Sequence, residues 1–140
     1  MKPTADELKD KPEEVRVLVA ETLGWTCVSR SYLTGLPPHL KVEQYSSEQV
    51  LNNEVPVYEL PYFEISHDAC RTFEDAMSEE EFRAYLFSLW RIVYPDAYAR
   101  EKSRRHWPDF IEWNWMKAIM QATPLQKCLA FLLTKSAINP

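Results

Sequence analysis

Cationic and flat side chains crowd one short stretch of the chain. Arg100, Lys102, Arg104, Arg105 and His106 run directly into Trp107, and Trp113 and Trp115 follow shortly after. Guanidinium forks bind phosphate oxygens in pairs, and an aromatic face stacks on a base for about 1–3 kcal/mol. The stretch therefore holds both ingredients of a site for a phosphate-bearing, ring-containing ligand of the cyclic-nucleotide kind. Arg30 and Tyr32, leaving the first expected strand near Gly35, can complete that pocket from the same or a neighbouring subunit. A plainer arrangement uses the same residues: basic groups end a helix where the dipole favours them, and the tryptophans fill a core.

Other chemistry finds less support. His39, the pair His67-Asp68, and Asp96 or Asp109 make a metal-phosphohydrolase pattern, but such ligands must converge from a helical scaffold, and His39 abuts Pro37-Pro38, where no helix runs. Cys27, Cys70 and Cys128 are spaced too widely for a zinc motif and read as reduced core thiols. Gly24 and Gly35 are the only glycines, and phosphate-cradling loops, dinucleotide fingerprints and nucleophile elbows each need a closer group of them. No catalytic residue, metal or cofactor is implied, so the expectation is a protein that is not an enzyme. The tight Met77-Ser78 junction suggests a helix-turn-helix, but Glu79, Glu80 and Glu81 would meet DNA phosphates with like charge, which argues against DNA as a partner.

The elements that position these residues follow from periodicity. Asp10-Lys11-Pro12-Glu13 reads as a capping box opening a helix with Val15, Leu18, Val19, Thr22 and Leu23 on one stripe, closed by Gly24. Trp25 to Tyr32 reads as a strand broken by Gly35-Leu36-Pro37-Pro38, and Ser46 to Asn53 as a long loop or weak hairpin between the β-prone pieces Leu40–Val42 and Val55–Tyr58. Ser66 caps a helix through Met77, Ser78-Glu79-Glu80-Glu81 opens another that Pro95 stops, and Asp96 to Ser103 adds a further turn or two. Ile111, Trp113, Trp115, Lys117 and Ile119 alternate with other residues as in a strand, and Thr123-Pro124-Leu125-Gln126 opens the last helix. The order α-β-(β)-α-α-β-α predicts an α+β fold, helices packed on a small, largely antiparallel sheet, as one domain over residues 1–140 with 1–10 mobile or peripheral.

Charge is divided. Residues 1–81 carry a net −10 and residues 82–140 a net +5, a dipolar surface that favours association and can focus an anion on the basic side. With 18 aromatic residues in 140, some are expected at an interface, so a homo-oligomer, at least a dimer, is expected. No apolar run approaches the length of a membrane span, and the acidic N-terminus is unlike a secretory signal; the expected location is cytoplasmic, with no membrane partner.

Leu18-Val19-Ala20-Glu21 before Gly24-Trp25, then Leu36-Pro37-Pro38, then Leu60-Pro61-Tyr62-Phe63 before His67-Asp68-Ala69, and finally Ala122 to Ala130 occur in an order that resembles small bacteriophage and prophage proteins of the phage ABA-sandwich type. The third helix is longer than the hairpin of that family. By analogy with the Thoeris anti-defence sponges, the resemblance implies a phage protein that binds and sequesters a nucleotide-derived immune messenger, a cyclic oligonucleotide or a cyclic ADP-ribose isomer, without cleaving it. The alternative is an acidic-faced inhibitor or accessory module that binds a host or phage protein.

Overall fold

The computed structural model describes residues 1–40, 42–52, 56–101 and 116–140, with the backbone alone at 42, 50, 51, 100 and 101. Among them run α1 (Ala5–Leu8), α2 (Pro12–Thr22), β1 (Thr26–Ser29), β2 (Thr34–Leu36), a 3-10 turn (Val42–Gln44), α3 (Ser47–Leu51), β3 (Tyr58–Glu59), α4 (His67–Ala76), α5 (Glu79–Val93), α6 (Pro95–Glu101), α7 (residues 116–121) and α8 (Pro124–Thr134). The class is α+β: helices on a three-stranded antiparallel sheet of order β1-β2-β3. No helix among the described residues is long and apolar enough to cross a membrane.

Local chemistry explains most helix ends. Ser78 accepts from the Glu81 N–H while the Glu81 carboxylate accepts from the Ser78 N–H, and Thr123 with Gln126 repeats this reciprocal cap. Ser66 caps α4 through the Ala69 N–H. Helix α2 closes with Gly24 at φ +100, the Gly24 N–H on Glu21 and the Trp25 N–H on Ala20, a Schellman arrangement that a side chain at that φ would strain. Its start differs from expectation: Lys11 is the N-cap, with no side-chain hydrogen bond, and Pro12 supplies the preset φ instead of an Asp10 cap.

The chain departs from its sequence pattern in several places. Residues 116–121 are helical, not a strand; the Ala122 N–H donates to the Ala118 carbonyl at 2.8 Å, and these alanines, four apart, are buried together. Met, Lys, Ala and Gln favour helix, which outweighs the weak alternation of Lys117 and Ile119. The expected strand residues 111–115 lie outside the described residues. Gly35-Leu36-Pro37-Pro38, expected from the pattern to break a strand, instead gives Gly35 and Leu36 to the central strand β2 (Thr34–Leu36). Gly35 suits it because a Cβ there would lie 3.3 Å from the Thr26 carbonyl, Trp25 and Val28. Strand β1 spans only Thr26–Ser29 and carries an extra residue against β2, with Cys27 at φ +53. That bulge turns Cys27 outward, so it is an exposed thiol and not a core one. The stretch from Ser46 contains helix α3, because Ser46 and Gln49 cap each other's backbone N–H groups. No strand forms at Leu40 or Val42, and the later β-prone piece pairs only at Tyr58–Glu59.

The core is centred on α8, which packs on α5, α2 and α4. Phe73 of α4 stacks on Phe131 of α8 at 4.5 Å and meets Tyr85 of α5 edge-on at 6.2 Å. At the chain's ends, Thr4 bridges Asn139, and Leu8 is buried in the core.

One ion pair is sealed into this core. Arg16 of α2 donates through Nε and Nη2 to the Glu64 carboxylate at 2.8 and 2.7 Å, and the Tyr62 ring covers its guanidinium at 4.3 Å. Burial opposes the charge on Arg16, but the hydrogen bonds and charge of Glu64 more than restore it, and its pKa stays above the ordinary value. Removing one member strands the other, so Glu64→Gln is expected to lower unfolding stability by about 3 kcal/mol, while Arg16→Met with Glu64→Leu recovers most of it. Urea midpoints for the three variants check this. A second pair joins Glu81 of α5 to Lys135 just after α8 and, with the Ser78 bond, holds Glu81 below its ordinary 4.5. A lowered carboxylate contributes stability that is present above that value and lost as pH falls through the folded one. Glu81→Gln keeps the cap but is expected to flatten that acid limb in thermal melts taken across pH 2 to 6.

Candidate functional site

Helices α5 and α8 run antiparallel, because Glu81 at the start of α5 meets Lys135 at the end of α8. Arg91 and Ile92, at the far end of α5, therefore come beside the first turn of α8. Between these ends and α1 lies a cleft of about 540 Å³, a size usual for small-molecule sites. Its floor is the row Leu125, Leu129 and Leu133, spaced four apart on one face of α8, joined by Ile92. Its rim carries Asp6 of α1, Lys9 just after that helix, Arg91, Thr123 and Gln126.

The rim is dominated by donors. Lys9 pairs with Asp6 at 3.0 Å, and that hydrogen bond and charge raise its pKa. Arg91 is exposed, its guanidinium 5.9 Å from the centre of the Tyr98 ring, and no carboxylate of the described residues pairs with it. Thr123 and Gln126 use their oxygens to cap α8 at 3.1 and 2.9 Å, which leaves the hydroxyl proton and the amide NH2 to donate elsewhere. The cleft can thus take an anionic group at the α8 end and apolar matter along the leucine row.

The residues expected from the sequence fall differently. Arg30 donates to Glu14 at 3.2 Å and Glu21 at 3.3 Å, contacts that raise its pKa, the Glu14 hydrogen bond foremost, and it borders a hollow with Asp10, Glu13 and Glu14. A phosphate there has to displace two carboxylates. Tyr32 sits 81% exposed in the turn between β1 and β2. The backbone of Arg100 lies in α6, whose first residue, Pro95, stands on the cleft rim; five residues of helix carry the chain about 7.5 Å along its axis. Arg104, Arg105, Trp107, Trp113 and Trp115 lie outside the described residues. Lys9, Arg91 and the outer side of the leucine row were not singled out from the sequence. The only signal was a leucine stripe wide enough to reach past the core, and nothing local announces that α1 closes its edge.

Deeper groups are tied into the fold. Tyr85 donates to Glu74 at 2.9 Å, Lys127 stands 3.8 Å from the same carboxylate, and burial foremost, then the Glu74 charge, pushes the phenol pKa up. The Cys70 thiol donates to the Phe63 carbonyl at 3.1 Å, while burial and the neighbouring Cys70 push the Cys128 thiol up. His39, His67 and Asp68 are exposed, and no group of three potential ligands gathers for a metal among the described residues. Compared with known proteins, the chain matches no family model, no curated protein and no solved structure.

Burial separates the cysteines, since the thiolate is the reactive form. A disulfide-exchange reagent is expected to label Cys27 alone in the native protein, and all three thiols in denaturant. Mass spectrometry of the labelled peptides reads the site, and rapid native labelling of Cys128 would contradict the core described above.

Proposed function

We propose that the protein binds and sequesters a small organic anion in the α1/α5/α8 cleft without turning it over. The observation that carries this reading is the donor-lined end of the cleft, where Arg91 stands free of any described carboxylate above an apolar floor. Nucleotide-derived immune messengers, cyclic oligonucleotides or cyclic ADP-ribose isomers, are the ligand class favoured by the basic run at 100–106 and by the resemblance to phage ABA-sandwich proteins. Helix α6 supports the link, leading from the rim at Pro95 toward that run. On this reading the protein is a phage anti-defence sponge acting in the cytoplasm of the infected bacterium. Exposed Tyr32, Val57, Tyr58, Tyr62 and Ile65 favour assembly into at least a dimer.

The acidic-faced inhibitor keeps one observation in its favour: Asp10, Glu13 and Glu14, beside Lys11 and Arg30, line a hollow of about 430 Å³ in which a basic side chain of a partner protein can take the place of Arg30 on Glu14.

Thermal unfolding against a panel of cyclic oligonucleotides and cyclic ADP-ribose isomers tests the leading reading. A ligand at 100 times its dissociation constant adds about 2.7 kcal/mol, and it is expected to be recovered intact after heating. Arg91→Glu should abolish the shift, and Glu13→Lys with Glu14→Lys should leave it unchanged. Sensitivity only to the acidic pair would favour the inhibitor, and an altered ligand would establish an enzyme.

A further inference from the structure

One wall of the cleft is built differently from the rest. Ala5, Asp6, Lys9 and Pro140 form it, whereas the other described lining residues belong to α5, α6 and α8 or cap α8. The two pieces of this wall meet in a clasp. After α8 the chain reverses at Ser136, in the left-handed region at φ +56, where the Ser136 N–H donates to Leu133 and the Ala137 N–H to Leu132, the Schellman pattern. The reversal seats Ile138 in the core and lays Asn139 beside Thr4. There the Asn139 N–H donates to the Pro3 carbonyl at 2.9 Å, the Ala5 N–H to the Asn139 carbonyl at 3.3 Å, and the Asn139 side-chain amide to the Lys2 carbonyl at 3.0 Å. Lys2 Nζ donates in turn to the Ser136 carbonyl at 2.7 Å.

The two pieces are anchored unequally. Residues 136–140 are fixed by the turn after α8 and by Ile138, while α1 is a single turn whose one buried side chain is Leu8, and the side-chain bonds of the clasp lie in the open. A segment with few buried contacts and accessible hydrogen bonds opens well below the global unfolding free energy. Resting on the reading that the cleft holds an organic anion, we infer that residues 2–9 are a strap that undocks from the Asn139 clasp while α2, α5 and α8 stay folded, and that its docking is linked to occupancy of the cleft. An anion bound against Ala5, Asp6 and Lys9 holds the strap shut, and undocking removes that wall and releases the anion. The linkage is reciprocal, so whatever weakens the clasp lowers the apparent affinity by the fraction of time the strap stays docked.

Hydrogen exchange and a fluorescent organic anion, anilinonaphthalene sulfonate, test this together on the intact protein. The Leu8 and Lys9 amides, which donate to the Thr4 and Ala5 carbonyls, are expected to exchange about a hundredfold or more faster than amides in the middle of α8, and to slow when the probe binds. Leu8→Ala is expected to weaken the probe about tenfold, the change that follows if the strap is then docked about a tenth of the time. Thr4→Cys with Asn139→Cys, in a chain carrying Cys27→Ser, places thiols on two bridged positions, and paired strands about 4.8 Å apart are within the reach of a disulfide. Oxidising that pair should restore the affinity lost in Leu8→Ala, and dithiothreitol should remove it again, a rescue that damage to the core would not show. Arg91-dependent uptake of the probe that ignores both Leu8→Ala and the disulfide, or α1 amides as protected as those of α8, would overturn the strap and leave the cleft reading standing. Absence of any Arg91-dependent uptake would overturn both.

Discussion

Helix α8 buries Lys127, Cys128, Leu129, Ala130, Phe131 and Leu132 in succession, more than one stripe of a helix, so it must be surrounded and not merely laid on a surface. Helices α5, α2 and α4 supply that surround, and the sheet is left to one side. The contacts of charged groups along α8 then set its register: Lys127 near Glu74 of α4, Lys135 against Glu81 of α5. Once α5 and α8 are antiparallel in that register, the position of Arg91 beside the first turn of α8 is no longer free. The cleft is the part of the α8 surface that its neighbours do not reach, with α1 as its far wall.

The Arg16–Glu64 pair raises a different question, because α2 could have buried an apolar side chain there. Taking two charges from water costs several kcal/mol per ion, and attraction repays it only when the remaining hydrogen-bonding capacity is used. Here the guanidinium takes both carboxylate oxygens and lies under the Tyr62 ring. These contacts fix how the Tyr62 to Glu64 segment lies against α2. Tyr62 in turn donates to Glu59 of β3, so the pair ties helix, edge strand and the approach to α4 together. We read its contribution as selection of one packing over near alternatives, which total stability does not report.

Helix ends were legible in the sequence wherever a side chain bonds to nearby backbone. Ser66, Ser78 with Glu81, and Thr123 with Gln126 sit where such residues put them, and Pro12 and Pro124 occupy first turns. What failed depended on longer-range competition. The alternation around Lys117 and Ile119 lost to helix formers backed by the burial of Ala118 and Ala122. Gly35, usually a strand breaker, sits in the central strand because its neighbours come too close for a side chain. The odd residue of the β1 bulge moved Cys27 from core to surface, since one extra residue reverses which side chains face in. The candidate site was barely legible. The basic, tryptophan-rich run announces itself by composition, whereas Lys9 and Arg91 acquire meaning only when residues more than eighty positions apart are brought to one cleft.

The balance of donors and acceptors bears on what such a cleft does with a ligand. Hydrolysis needs a group that takes a proton from water or from a side-chain nucleophile, placed within hydrogen-bond reach of the reacting atom. Arg91 cannot serve, and the oxygens of Thr123 and Gln126 are occupied by the α8 cap. Asp6 has the one side-chain carboxylate among the described lining residues, and it is exposed and paired with Lys9. Cys70 and Cys128 are buried in the core, neither lines the cleft, and burial pushes the Cys128 thiol up. Among the described lining residues the donors suit negative charge that is already present, and that is the property on which the proposed sequestration draws.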